Sequence, residues 1–225
     1  QSICFKMGKP ILYGATLSPP VRAVQLTCKE IGLDIEFKVV DILNKAHLSE
    51  EFLKKNPQHT IPVLEDDGKY LWDSHAIATY LIGKYAKNDS LYPKDLYQRA
   101  VVDQRLHFDS GVLFAKLRLI TEGIFFKKEK TIAKEKIDAL YEAYNFVEKF
   151  LEGKDYVCGK TLTVADFCCI ATISSLQSLA PIDGSKYPKV AAWMKRMALL
   201  PYFHEINEVP AEALCQLIVK TLKEN

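Results

Sequence analysis

Asn56-Pro57-Gln58-His59-Thr60-Ile61-Pro62-Val63-Leu64-Glu65-Asp66-Asp67-Gly68-Lys69-Tyr70-Leu71-Trp72-Asp73-Ser74 holds a loop, two short strands and a helix start in succession. Ile61 to Leu64 and Lys69 to Trp72 read as the strands, and Asp66-Asp67-Gly68 between them is a hairpin signal, because Asp and Gly accept the positive φ that a tight turn needs. Pro62 stands where a central strand should begin. A proline has no N–H to give to a ladder, so its place there marks a special backbone. From Ser74 to Tyr85 the apolar residues return to helical spacing.

Upstream, Ile11 to Gly14 is a short apolar run, Val21, Val24, Cys28 and Ile31 repeat at helical spacing, and Ile35, Phe37 and Val39 alternate with period two. This is a βαβ unit. Pro19 or Pro20 fits the first turn of its helix, and Gly32 the residue just past its end. A polar stretch anchored by Phe52 and Leu53 joins it to the hairpin. Downstream of Asp89 every strong period is helical: Leu96 to Ile120 as one long amphipathic helix, then the stripe Ile137, Leu140, Tyr141, Tyr144, Val147 and Leu151. Thr163-Val164-Ala165-Asp166 follows as a capping box, with Leu162 and Phe167 as its staple, before a buried helix to about Leu179 and another from Tyr187 to Leu200. The expected fold is α/β plus all-α, a βαβ-α-ββα domain over residues 1–88 followed by an all-helical domain over 89–225.

Composition narrows the function. Hydrophobic residues make up 48% of the 225 and charged residues 26%, which is ordinary globular chemistry. The net charge of +2 is too small to attract polyphosphate, and the one tight basic cluster, Lys127, Lys128 and Lys130, contains Glu129, so nucleic acid is not an expected partner. Six cysteines without CxxC or zinc-ligand spacing suit a reducing, cytoplasmic setting and no metal. QSICFKMGKP lacks the apolar segment of a secretory signal, and no stretch approaches 18 uninterrupted apolar residues, so neither export nor membrane insertion is expected. Met7-Gly8-Lys9 reads as a natural start, with residues 1–6 an upstream extension.

The chemistry gathers at element ends. Leu17-Ser18-Pro19-Pro20-Val21-Arg22 places a hydroxyl immediately before a proline-started helix. Such a hydroxyl either caps the helix or donates to an anion that also feels the helix dipole, and a bound thiol gains most from the latter. If the Ile61-Pro62 bond is cis, the N–H and C=O of Ile61 are free to pair with an extended peptide. If it is trans, Pro62 merely marks a strand edge. Asp73-Ser74 opens a helix with a carboxylate and a hydroxyl that suit an amino-acid head group. His47 and His59 flank the region and suit a second carboxylate, or are ordinary surface histidines. A thiol anion, a peptide backbone and two carboxylates together describe glutathione.

The motifs Tyr13-Gly14, Ser18-Pro19-Pro20-Val21-Arg22, Asn56 to Pro62, Glu65-Asp66-Asp67-Gly68, Trp72-Asp73-Ser74-His75-Ala76-Ile77, Leu91-Tyr92-Pro93 and Thr161 to Phe167 occur in order over Gly8 to about Leu222. In this the sequence resembles the cytosolic glutathione S-transferases, and in detail the insect epsilon class. The resemblance implies a thioredoxin-like first domain, a homodimer, glutathione as co-substrate and conjugation of hydrophobic electrophiles in detoxification, with peroxidase or dehydrochlorinase activity as optional extras. It further implies that Ser18 bonds the glutathione sulfur, that Pro62 is cis with Ile61 on the cysteinyl backbone, that His47 and His59 lie at the glycyl end, and that Asp73 and Ser74 hold the γ-glutamyl group. Arg118 matches an arginine placed near the ligand, although by its position it reads equally as an exposed helical arginine. Tyr13 is a rival for Ser18, since some members of the family use a strand tyrosine. Phe114, Leu117, Phe125 and Phe126 are candidates for the wall of an apolar pocket, and helical aromatics at such spacing serve a core as readily. Two other readings stand beside this one: a binding protein of the same fold that holds apolar molecules without turnover, and a thiol-disulfide oxidoreductase, which the absence of a cysteine pair at Ser18 disfavours.

Overall fold

The computed structural model describes residues 8–225; the expected start at Met7 and the extension before it lie outside them. A four-stranded mixed sheet forms from β1 (Ile11–Gly14), β2 (Glu36–Val39), β3 (Val63–Asp66) and β4 (Lys69–Trp72), in the order β2-β1-β3-β4. β2 runs parallel to β1, joined to it by the crossover helix α1 (Pro19–Glu30), whereas β3 is antiparallel to both β1 and β4. The two residues of the β3–β4 turn, Asp67 and Gly68, both have positive φ (50° and 72°), which is the backbone a two-residue hairpin demands.

Each face of the sheet has its own cover. Leu12 and Leu64 meet Val21, Val24 and Cys28 of α1 and Ile77 and Leu81 of α3 (Ser74–Tyr85) in one apolar layer. The opposite face packs Tyr13, Val63 and Trp72 against Phe52 of the short helix α2 (Glu50–Lys55). The polar stretch before the hairpin thus holds a single turn of tight helix (Ala46–Leu48) and α2. Gly14 is required where it stands, because a Cβ there would come within 2.6 Å of Val21 Cγ2 and push α1 off the sheet. Asp66 pins the hairpin to α3 by accepting from the hydroxyls of Tyr80 and Tyr85 and from Lys84 Nζ.

The second domain is helical throughout: α4 (Leu96–Phe108), α5 (Phe114–Phe126), α6 (Lys134–Phe150), α7 (Val164–Ser174), α8 (Pro188–Met197) and α9 (Val209–Glu224). All but the last residue of α7 are buried, so it serves as the central post around which the others pack. It ends at Ser174, earlier than its apolar pattern suggests, and α8 is correspondingly tighter than Tyr187 to Leu200. The long helix expected from Leu96 to Ile120 is interrupted by a π-turn at Asp109–Leu113 and continues to Phe126. The α7 capping box forms as its spacing implies. No helix among the described residues is long and apolar enough to cross a membrane.

Candidate functional site

Strand register brings the scattered candidates to one end of the sheet. Gly14 pairs with Val39, so β1 and β2 finish together, one leading to Ser18 and the other toward His47. Tyr13 pairs with Val63, which sets the start of β3, and hence Ile61-Pro62, beside the end of β1. Val63 in turn pairs with Trp72, so β4 ends there too and hands over to Asp73-Ser74. Four segments far apart in sequence therefore open on a common edge.

Ser18 occupies the N-cap position of α1 with extended backbone (φ −73°, ψ 121°), yet its side chain makes no capping hydrogen bond. Backbone N–H groups, ordinarily plentiful at a helix start, are scarce around it. Pro19 and Pro20 fill the first two helical positions and have no N–H, so the prolines strip the mouth of the helix of competing donors and leave the hydroxyl prominent. Tyr13 is differently committed: its hydroxyl donates to Glu65 Oε2 at 2.7 Å. Burial, and then that carboxylate, hold its phenol well above the ordinary range, the opposite of what a thiol activator needs.

The Ile61-Pro62 bond is cis. The loop before it is shaped by Asn56, fully buried, whose Nδ2 donates to the carbonyl and hydroxyl of Thr60 (2.9 and 3.0 Å) and whose Oδ1 accepts from the Gln58 N–H at 2.9 Å. His59, in the left-handed region at φ 46°, faces His47 with ring centroids 6.1 Å apart. His47 Nδ1 is buried without a partner, and burial followed by the neighbouring imidazole lowers the pKa of this ring. An arriving carboxylate would reverse both penalties.

Asp73 caps α3: its Oδ1 accepts from the N–H groups of His75 and Ala76 at 3.0 and 3.1 Å. Its backbone sits at φ 72°, ψ 118°, a conformation costing an L-residue about 1–3 kcal/mol and one that collects at functional sites. Ser74 beside it is buried. The next residue, His75, is not among the sequence candidates. Its Nε2 lies 3.0 Å from Asp109 Oδ2 in the π-turn, and Asp109 Oδ1 accepts from Thr172 Oγ1 of α7 at 2.8 Å. Burial opposes the charge on His75, but the Cys168 sulfur and the Asp109 carboxylate outweigh it and push the ring's pKa up to about 11. This chain of contacts ties the start of α3 to the second domain. π-turns recur where a helix must present a side chain out of phase, which is what Asp109 does.

The α5 candidates divide. Leu117 is turned into the helical core with Ile120 and Ile124, Phe114 and Phe125 are partly buried against that core, and Phe126 is 54% exposed. Arg118 is exposed and donates to Glu122 Oε1 at 2.5 Å, as a helical surface arginine would. A cavity of about 580 Å³ lies between α7, α8 and α9, lined by Ile170, Met194, Phe203 and Cys215 among others, and none of the four pocket candidates borders it.

Comparison with known proteins gives one family. Residues 12–89 match the family description "Glutathione S-transferase, N-terminal domain" and residues 101–201 its "C-terminal domain". Glutathione S-transferase 1 of Manduca sexta is 46% identical over 210 residues, covering 92% of this chain and 96% of its own. The structure of an epsilon-class glutathione S-transferase from the housefly Musca domestica superposes with a TM-score of 0.93 at 50% identity, covering 95% and 98% of the two chains. A glutathione transferase homologue of Drosophila mojavensis with bound glutathione gives the same score and identity over 95% and 97%.

Proposed function

The chain belongs to the glutathione S-transferase family, and from that membership we propose that it binds glutathione along the shared edge of the sheet, ionises its sulfur at Ser18 and conjugates it to hydrophobic electrophiles. The observation that carries the reading is the Ser18 hydroxyl, set at a helix N-cap and unused for capping. Moving a thiol pKa from about 8.5 to about 6.5 takes about 2.7 kcal/mol and lifts the thiolate fraction at pH 7 from about 3% to about three quarters. One charge-assisted donor and the positive end of α1 are forces of that order.

Placement at the same end of the sheet supports the remaining roles. Ile61 offers its N–H and C=O to the cysteinyl backbone as an added strand. His47, with its orphan Nδ1, and His59 take the glycyl carboxylate. Asp73 and Ser74 receive the γ-glutamyl head at the start of α3, Asp73 with the oxygen its capping bonds leave free. Phe114, Phe125 and Phe126, with Leu117 behind them and Arg118 at the rim, wall the space for the apolar substrate. The protein supplies ionisation and proximity, and the tripeptide supplies the nucleophile. We place the division of the two domains between residues 88 and 89, and read the protein as a cytoplasmic homodimer acting in detoxification.

Ser18→Ala tests this. Conjugation of a chlorodinitrobenzene-type acceptor should fall by about one to three orders of magnitude, the bound thiol's apparent pKa should rise, and retention on glutathione-agarose should persist. Unchanged kinetics with an unchanged pH profile would remove Ser18 from its role.

A further inference from the structure

Arg22 lies one turn into α1 from Ser18 and is fully buried. Its Nη1 donates to the carbonyl and to Oδ1 of Asn207, each at 2.9 Å, and its Nη2 to the carbonyl of Ala171 at 3.2 Å and to the Ser175 hydroxyl. Its Nε has no partner. All of these acceptors are neutral, and no carboxylate pairs with Arg22 among the described residues. The titratable group facing it is the Cys215 thiol of α9, which itself donates to the carbonyls of Ser174 and Ser175 at 3.8 and 3.6 Å.

Neutral oxygens satisfy the protons of a guanidinium without cancelling its charge. Taking such a charge out of water costs several kcal/mol, and an apolar side chain at the same domain boundary would cost nothing of the kind. Burial lowers the pKa of Arg22 to about 9, so it remains a cation at neutral pH. The Arg22 N–H donates to the Ser18 carbonyl at 3.1 Å, so the two residues stand one helical turn apart, and that separation with the length of an arginine side chain puts the charge on the order of 10 Å from Ser18. At that separation and an effective dielectric of about 20, a unit charge shifts the ionisation of an anion by about one pKa unit.

We propose that Arg22 is a positioning residue of the transfer reaction, whose uncompensated charge, held by neutral oxygens between the domains, helps keep the sulfur at Ser18 ionised. This rests on Ser18 being the sulfur's partner. It makes the second domain, through Ala171, Ser175 and Asn207, part of the apparatus that activates the thiol.

Asn207→Asp is close to isosteric and sets a carboxylate against Nη1, cancelling the charge while leaving the site filled; Arg22→Met removes the charge outright. With glutathione bound, titration of thiolate absorbance in the ultraviolet should give an apparent pKa about one unit higher in each variant than in the unaltered protein. Asn207→Asp should keep its thermal midpoint. A residue that only holds the domains together would leave the thiol pKa of Asn207→Asp unmoved, and that result overturns the proposal even if Arg22→Met fails to fold. Should the unaltered protein's bound thiol titrate as it does in buffer, the assignment of Ser18 falls first and that of Arg22 with it.

Discussion

Helices α1 and α7 both begin at a hydroxyl-bearing residue, Ser18 and Thr163, and they pack against one another across the domain boundary. At α7 a capping box closes the helix start. Asp166, fully buried, accepts from the Thr163 N–H and hydroxyl, from the Val157 N–H and from Trp193 Nε1, all at 2.9 to 3.0 Å. At α1 the hydroxyl has no capping bond and two prolines stand where N–H groups would be. A closed helix start is a fastener for the fold. An open one keeps its dipole and its donor available to a ligand, and gives up the stability that a cap would add.

The contrast is exposed most severely by Asp166→Ala, which strands four buried donors at once. We expect a loss of about 3–5 kcal/mol in denaturant unfolding. Thiol ionisation in the protein that remains folded should be unchanged. A loss below about 1 kcal/mol would mean that α7 does not depend on its closed end.

Between the two extremes lies the His75–Asp109 contact, which joins the open site to the closed domain. The pKa of His75 is raised from 6.5 to about 11 on folding. Its contribution is therefore fully present below pH 6.5 and is lost as the pH rises through the folded value. Asp109→Asn should cost about 2–3 kcal/mol at neutral pH and should flatten the decline in unfolding free energy across that alkaline window. A variant that declines as steeply as the unaltered protein would show that the Cys168 sulfur, and not Asp109, holds the proton on His75.

Ser18→Ala supplies the converse of Asp166→Ala. Because its side chain caps nothing, stability should change by less than about 0.5 kcal/mol even as turnover collapses. A cost of 1–2 kcal/mol, the ordinary value of a lost cap, would turn Ser18 back into a fastener.

How much of this could be read beforehand depended on how local the cause was. The hairpin rests on Asp67-Gly68, the βαβ unit on two short periodicities, and the α7 cap on residues three apart, so the sequence displays all of them. Ser18 could be placed at a helix start, but whether its hydroxyl bonds the helix depends on side-chain geometry that no spacing encodes. His75 meets Asp109 across 34 positions and Arg22 meets Asn207 across 185, so neither pair leaves a local trace. The π-turn at Asp109 shifts the phase of an apolar stripe, and the stripe alone reads as one unbroken helix. For α9, Ala211, Leu214 and Ile218 do carry a helical period, but a second π-turn precedes it and Pro210 stands in its first turn, so the pattern has no clear start in the sequence.

The smallest effect we expect belongs to Tyr13→Phe. Tyr13 and Ser18 are five residues apart, and from sequence either could activate a thiol. The alternation of β1 separates them: Leu12 and Gly14 face α1, while Tyr13 points to the α2 side, where its hydroxyl is engaged by Glu65 and cation-bearing Lys38 and Lys55 lie over its ring. A phenol whose proton is held by a carboxylate is a poor donor to a second anion, since giving up that bond would leave Glu65 to be solvated afresh. Removing the hydroxyl should therefore change kcat/KM for conjugation by less than about twofold and leave the pH profile in place. A tenfold fall would show that the sulfur is approached from the opposite face of the sheet, and the open end of α1 would lose the function argued for it.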